Sequence, residues 1–401
     1  MHRVFRDLHL VRVAAALCVV SVVAGCSVVA PGAFVASGTP GAGTPGAGTP
    51  GSAERLNTAP AAPRVRQVPH PWHAGMPQLG IDVHWLGNAR DSDLVVRNKA
   101  ERIIDYAISL HANSIALTFP FFTYGIASDT LYADKVTTPS PKHIAIFLSV
   151  AEESHIRVTI RPLLDEQSLV AQNPIAWRGS IAPASTSAWF ASYQQLLLPY
   201  AKAADSGHAA TFVIGTELNS LEGAPEWPAL VNSISSVYHG QLTYDENFDS
   251  FANHDTNLPL SEFGVDAYPR FQLPDTATVD ELTQAWENWL SSHSSDVLHK
   301  AVLSEVGITA TPGAYTSPGN WLGTTHATIV PAIQANWYTA VCKTFSADKL
   351  AGLYWWEVSF DADPTRPAPF LTDRLTFLDR PAQHEVSSCF ASLESGENGG
   401  A

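Results

Sequence analysis

Eight short apolar segments, each followed by a stretch of helical periodicity, fill the chain from about residue 78 onward. They are Leu79–Trp85, Ser114–Phe121, Arg157–Leu164, Thr211–Glu217, Gln241–Tyr244, Phe263–Tyr268, Ala301–Glu305 and Gly352–Trp356. Most are continuous apolar runs rather than alternating ones, the pattern of strands covered on both faces. Between them, Val96, Ala100, Ile103, Ala107 and Leu110 make one helical stripe. Ser140 and Pro141 read as an N-cap and first helical residue ahead of Ile144, Phe147, Leu148 and Ala151. Residues 188–204, 227–238, 279–290 and 329–345 supply further helices. Parallel neighbours need a crossover connection, so this alternation predicts an α/β fold, a single closed (β/α)8 TIM barrel. An open doubly wound sheet would normally carry a phosphate-binding glycine loop, and neither G-x-G-x-x-G nor G-x-x-x-x-G-K-[ST] occurs. The link at 248–262 is short and contains proline, so only a rudimentary helix is expected there.

Residues 72–390 are therefore expected to form the folded domain. Residues 1–26 read as an export signal: Arg3, Arg6 and Arg12 precede an apolar stretch, Val13–Val23, too short to span a bilayer. The run Val23, Ala24, Gly25, Cys26 resembles a bacterial lipobox, which implies cleavage before Cys26 and lipidation of its thiol. An ordinary secretory signal with a chance cysteine would export the chain equally well. Residues 27–71 contain a repeated Gly-Thr-Pro-Gly-Ala unit with no apolar face, which reads as a flexible linker. Residues 391–401 read as a disordered tail. The expected location is extracytoplasmic, with the membrane met only through the N-terminal lipid anchor.

With Cys18 in the signal and Cys26 at the anchor, Cys342 and Cys389 are left to pair as one disulfide in an oxidising compartment. The net charge of −15 and the lack of a basic run outside the signal argue against a nucleic-acid partner. The fifteen histidines show no paired-ligand spacing, Asp361 and Asp363 stand too alone for calcium, and no G-x-S-x-G elbow is present. No metal and no cofactor are expected.

The fourth and seventh strand segments each end on a glutamate, Glu217 and Glu305. C-terminal strand ends form the mouth of a (β/α)8 barrel, where catalytic groups gather. Two carboxyl groups are the minimum equipment for cleaving a glycosidic bond. Singly, each could equally cap a helix or join a rim salt bridge. Tyr268 is placed to orient a carboxylate or to pack on Pro269, and Asn247 to bind a sugar hydroxyl or to shape a turn. Asp82, His84 and Arg161 point to the mouth if strand alternation holds, or satisfy neighbouring buried charge. Of Trp355 and Trp356, only one can face inward as a sugar platform.

These residues resemble glycoside hydrolase family 113, within the clan of retaining glycosidases whose catalytic glutamates lie on strands four and seven. The resemblance rests on Arg161-Pro162, Trp177-Arg178-Gly179, Trp189-Phe190, Ile214 to Glu217, Leu242 to Tyr244 with Asn247, Gly264 to Tyr268, Glu305 to Gly307, and Trp355-Trp356. It implies Glu217 as general acid/base, Glu305 as nucleophile, and Trp177 among the substrate-binding residues. Two positions depart: Thr216 stands where many clan members carry Asn, and Phe248 follows Asn247 where Trp is usual. The resemblance implies a retaining β-glycoside hydrolase acting on a β-mannan-like carbohydrate, and with the N-terminal signal the expected protein is an exported monomer. The alternatives are the same chemistry on β-glucan or exopolysaccharide, and an oligosaccharide-binding lipoprotein on an inactive barrel.

Overall fold

The computed structural model describes residues 65–253, 258–320, 327–366 and 374–396. The signal, Cys26 and the linker through residue 64 lie outside the described residues, as does part of the loop after residue 311. Eight parallel strands form the barrel: β1 (Gln78–His84), β2 (Ser114–Thr123), β3 (Arg157–Leu164), β4 (Thr211–Thr216), β5 (Gln241–Asn247), β6 (Phe263–Asp266), β7 (Val302–Val306) and β8 (Gly352–Ser359). Each pairs with its sequence neighbour, and β1 pairs with both β2 and β8, which closes the ring. A two-residue strand, Leu131–Tyr132, adds antiparallel to the end of β2.

The outer helices are α1 (Asp93–Ser109), α2 (Pro141–Ser154), α3 (Thr186–Ser206), α4 (Trp227–Ser235), α5 (Val279–Leu290), α6 (Pro331–Asp348) and α7 (Pro381–Ser395). Their starts follow local chemistry. Ser92, Ser140 and Ser185 each accept a hydrogen bond from a first-turn N–H, and Thr278 forms a reciprocal capping box with Glu281. Pro141, Pro331 and Pro381 occupy first helical positions, where no intrahelical donor is lost. Among its described residues, the link after β5 carries the six-residue helix Phe248–Asn253, short as expected from its proline. Cys342 on α6 and Cys389 on α7 form the expected disulfide, with Cα atoms 5.9 Å apart.

Four boundaries differ from the sequence reading. Strands β5 and β8 run three residues farther than the apolar pattern implied, through Asn247 and Ser359. Those extensions carry Asp245, Glu246 and Glu357, acidic residues that hydropathy alone assigns to loops. Packing also begins before residue 72: Val68 is buried and its N–H bonds to the Ser154 carbonyl. At the other end α7 continues to Ser395, past the expected limit at 390.

The apolar core lies between barrel and helices, where Ile81, Ile115, Phe212, Val265 and Leu353 meet Trp286 and Trp337 among others. The barrel interior is different. Such interiors are usually filled by layers of branched apolar side chains; here the layers are polar. Near the N-terminal end, Arg157 donates to Thr159, Tyr354 and Thr211, and the Tyr354 hydroxyl donates to Gln78. Gly80 is required there, because a Cβ would sit 2.2 Å from the Tyr354 ring. Four residues along β3, a second arginine fills the layer directly under the barrel mouth.

Candidate active site

That arginine, Arg161, is fully buried. Its Nε donates to Asp245 (2.7 Å) and its Nη2 to Asp266 (2.5 Å). Nη1 makes an ion pair with Glu305 Oε2 at 2.6 Å. Burial works against the guanidinium's charge, yet Asp266, Glu305, Asp245 and Asp82 hold it well above its ordinary pKa. Desolvation weighs on the carboxyl side as well. It raises Asp82 and Asp266 well above the usual carboxylate range, and raises Asp245, with Glu305 adding to each and Arg161 opposing.

Above this layer a cleft of about 660 Å3 opens at the C-terminal strand ends. Glu217 and Glu305 both line it. Glu217 follows β4 directly, and its backbone adopts φ +50°, a left-handed conformation that non-glycine residues rarely hold. The turn is braced by the Glu217 N–H on the Asp245 carbonyl and by the Leu218 N–H on the Tyr244 hydroxyl. Strain that the surroundings enforce is a common mark of functional positions. The Glu217 carboxylate accepts from Asn247 Nδ2 (2.5 Å) and from Arg178 Nη1 (2.9 Å). Burial pushes its pKa up to about 7, with Glu305 and Glu166 adding and Arg178 opposing.

Glu305 has different surroundings. Its Oε1 accepts from the Tyr268 hydroxyl at 2.5 Å, and Arg161 lies against its other oxygen. Burial and the Glu305 charge push the Tyr268 hydroxyl well up, so it stays a donor. The register of β7 shifts against both neighbours near this residue. Ser304 and Glu305 therefore both face the interior, Ser304 bonded to Asp266 below and Glu305 in the cleft above.

The cleft is also lined by His84, Asn247, Tyr268, Trp356 and Trp177. Three expected substrate contacts are corrected. Asp82, Arg161 and Trp355 are fully buried and do not line the cleft. Asp82 and Arg161 sit one layer down, within the charge cluster. Trp355 points outward and stacks on Tyr338 with centroids 4.2 Å apart. Trp356 is the inward member, its ring tilted against His84 and lying near the Arg161 guanidinium.

The structure adds residues that the sequence reading passed over. Arg178 bridges Glu166 (3.3 Å) and Glu217; only its place in the Trp177-Arg178-Gly179 run marked it. Glu357 lines the cleft and bonds His84 Nδ1 at 2.6 Å. No sequence signal exposes Glu357, since alternation from Trp356 sends it outward. A register shift between β1 and β8 brings both residues inward.

Residues 89–369 match the family profile described as Glycoside Hydrolase Family 113. The chain belongs to that family. Its members are glycoside hydrolases, and the barrel with paired cleft glutamates is the setting for that chemistry. No curated protein sequence matches the chain. Among solved structures, a GH113 β-1,4-mannanase is similar with a TM-score of 0.63 and 15% identity, covering 79% of this chain and 99% of that one. The GH113 β-mannanase AaManA from Alicyclobacillus acidocaldarius, in complex with ManMIm, gives 0.63 and 18%, over 79% and 98%. A family 5 mannosidase from Rhizomucor miehei gives 0.52 and 10%, over 80% and 94%. At these identities the likeness is one of fold.

Proposed function

We propose that this GH113 β-glycoside hydrolase cleaves a β-1,4-linked mannan-type chain by double displacement, with Glu305 as nucleophile and Glu217 as general acid/base. The observation that carries the reading is the contrast between two carboxyl groups in one cleft. Glu217 is buried, and burial raises its pKa to about 7, so a large share of it carries the proton near neutral pH. Glu305 is held between a hydroxyl donor and a guanidinium, surroundings suited to an ionised carboxylate. In the first step a Glu305 oxygen bonds to the anomeric carbon. The bond to the leaving oxygen breaks, and that oxygen takes the Glu217 proton. In the second, Glu217 removes a proton from water, whose oxygen attacks the anomeric carbon and releases Glu305. The mannan preference rests on the named activities of the similar family structures.

The decisive experiment follows product stereochemistry by NMR, with Glu305→Ala as the control. Retained configuration, with turnover lost in Glu305→Ala while its melting temperature stays near wild type, is expected. Inverted product or wild-type-like turnover in the variant overturns the assignment. The same reaction run on manno-, gluco- and xylo-oligosaccharides selects the sugar, and preferential glucan cleavage overturns the mannan preference. We also propose that the chain is exported and anchored through Cys26, on the strength of its lipobox-like run. Recovery of the full chain in the membrane fraction, lost on Cys26→Ser, is expected; a soluble wild type contradicts it.

A further inference from the structure

Strand β2 continues beyond the barrel rim and carries aromatic rings with it. Pro120 lines the cleft, and Phe122, two residues on, lies on the same side by strand period. Tyr132, on the short strand paired with β2, stacks against Phe122 and Tyr124, with centroids 5.7 Å and 4.6 Å apart. Tyr124 is 64% exposed. An outer ring this exposed adds little packing to the hairpin, which the Phe122–Tyr132 contact already pins.

The position of Tyr124 is nevertheless fixed. Its carbonyl accepts from Gln172 Nε2 at 2.7 Å. The next residue, Gly125, has φ +141°, and a Cβ there would strike Gln172 Oε1 at 2.3 Å. Gln172 itself lies between Val170 and Pro174, both on the cleft wall. The following wall residue, Ile175, is 85% exposed. Burial, with Tyr124, Asp134 and the cleft residue Asp165, pushes the Tyr132 hydroxyl up. The aromatic ledge is thus continuous with the cleft wall on the side of β2 and β3.

We infer that the Tyr124 face, with Ile175, is an outer subsite that stacks on a sugar ring of the same β-glycan chain bound in the cleft. Aromatic faces and the C–H faces of pyranose rings are complementary, and a tyrosine leaves its hydroxyl free for a sugar hydroxyl. The ledge serves polymer binding rather than bond cleavage, so it favours long chains over short ones. This inference rests on the proposed action on a β-glycan, and its test is separable from that reading.

The test uses the full chain as wild type, Tyr124→Ala and Tyr124→Trp, with one further control variant. Val297→Ala, 43% exposed on the helix Ser295–Leu298, controls for loss of an exposed apolar side chain elsewhere. With soluble β-mannan, Tyr124→Ala is expected to raise KM about 3- to 10-fold, the factor that one stacking contact supplies. An aryl β-mannobioside too short to reach the ledge should show less than about a twofold change. Tyr124→Trp should keep the polymer KM, and melting temperatures show that all variants fold. Equal changes on polymer and aryl substrate, or none on either, overturn the ledge. Retardation in native gels containing the soluble mannan reads the same comparison without turnover. There, a wild type and Tyr124→Ala that migrate alike overturn the ledge even if hydrolysis itself fails.

Discussion

The Glu217 carboxyl is pulled in two directions, and magnitudes decide which wins. Arg178 and Asn247 hydrogen-bond it, which favours the anion, while burial and the nearby Glu305 and Glu166 charges favour the acid. Burial is the larger influence and leaves the group near 7. A general acid works protonated, so kcat/KM should fall as pH rises through about 7. Removing the opposing guanidinium in Arg178→Met should move that alkaline limb to higher pH. A pH–rate profile on an unactivated oligosaccharide checks both, and an unmoved limb would mean that another group sets it. Both glutamates were readable in the sequence because a carboxylate ending an apolar strand is conspicuous. Arg178 was not, since an arginine in a polar loop says nothing about what it touches.

Elements place these groups, chiefly through their irregularities. Strand alternation put Asp82, His84 and Arg161 on the interior side, and all three lie there, Asp82 and Arg161 one layer below the mouth, because period two holds wherever a strand is regular. It failed at β7 and β8, where register shifts turn consecutive residues the same way. A shift of this kind is fixed by the partner strand, so nothing local announces it. Helix starts were more legible, since caps act within one turn. At the outer ring, α6 and α7 are joined by the disulfide across 47 residues of sequence. Closing a loop of that size restricts the unfolded chain by about 4 kcal/mol in the loop-entropy picture. The double variant Cys342→Ser/Cys389→Ser should lose stability of that order in denaturant unfolding while keeping activity under native conditions. A loss below about 1 kcal/mol would show that helix packing alone fixes α7.

Across the barrel interior charge is unevenly shared. Arg157 lies among neutral partners near the N-terminal end. In the layer under the cleft, four carboxyl groups, Asp82, Asp245, Asp266 and Glu305, surround the guanidinium of Arg161. Asp82 is the member that Arg161 meets neither in a hydrogen bond nor in an ion pair; among the described residues it accepts from Thr118, at 3.3 Å. Desolvation, with Glu305 and Asp245, raises its pKa well above normal despite Arg161. Its stabilising contribution is therefore complete below the unfolded carboxylate value near 4 and is lost as pH rises toward its folded value. Asp82→Asn keeps the acceptor for Thr118 and has no proton to lose. Its stability should decline less than wild type's as pH rises above about 4, and should match or exceed it at neutral pH. Denaturant unfolding at a series of pH values measures this. Strong destabilisation at neutral pH would mean that Asp82 is an anion the barrel needs.

The order of strands and helices, the closed barrel, the cysteine pair and the two glutamates at the mouth were set by the sequence alone. Period, capping and cysteine count act locally or by elimination. Which tryptophan faces the sugar, how Arg161 gathers four acids beneath the cleft, and how Arg178 and Glu357 reach it were decided only by the tertiary structure. Those outcomes depend on register between strands that are neighbours in space, and on how many charges share one buried volume. Neither quantity exists until the barrel has closed.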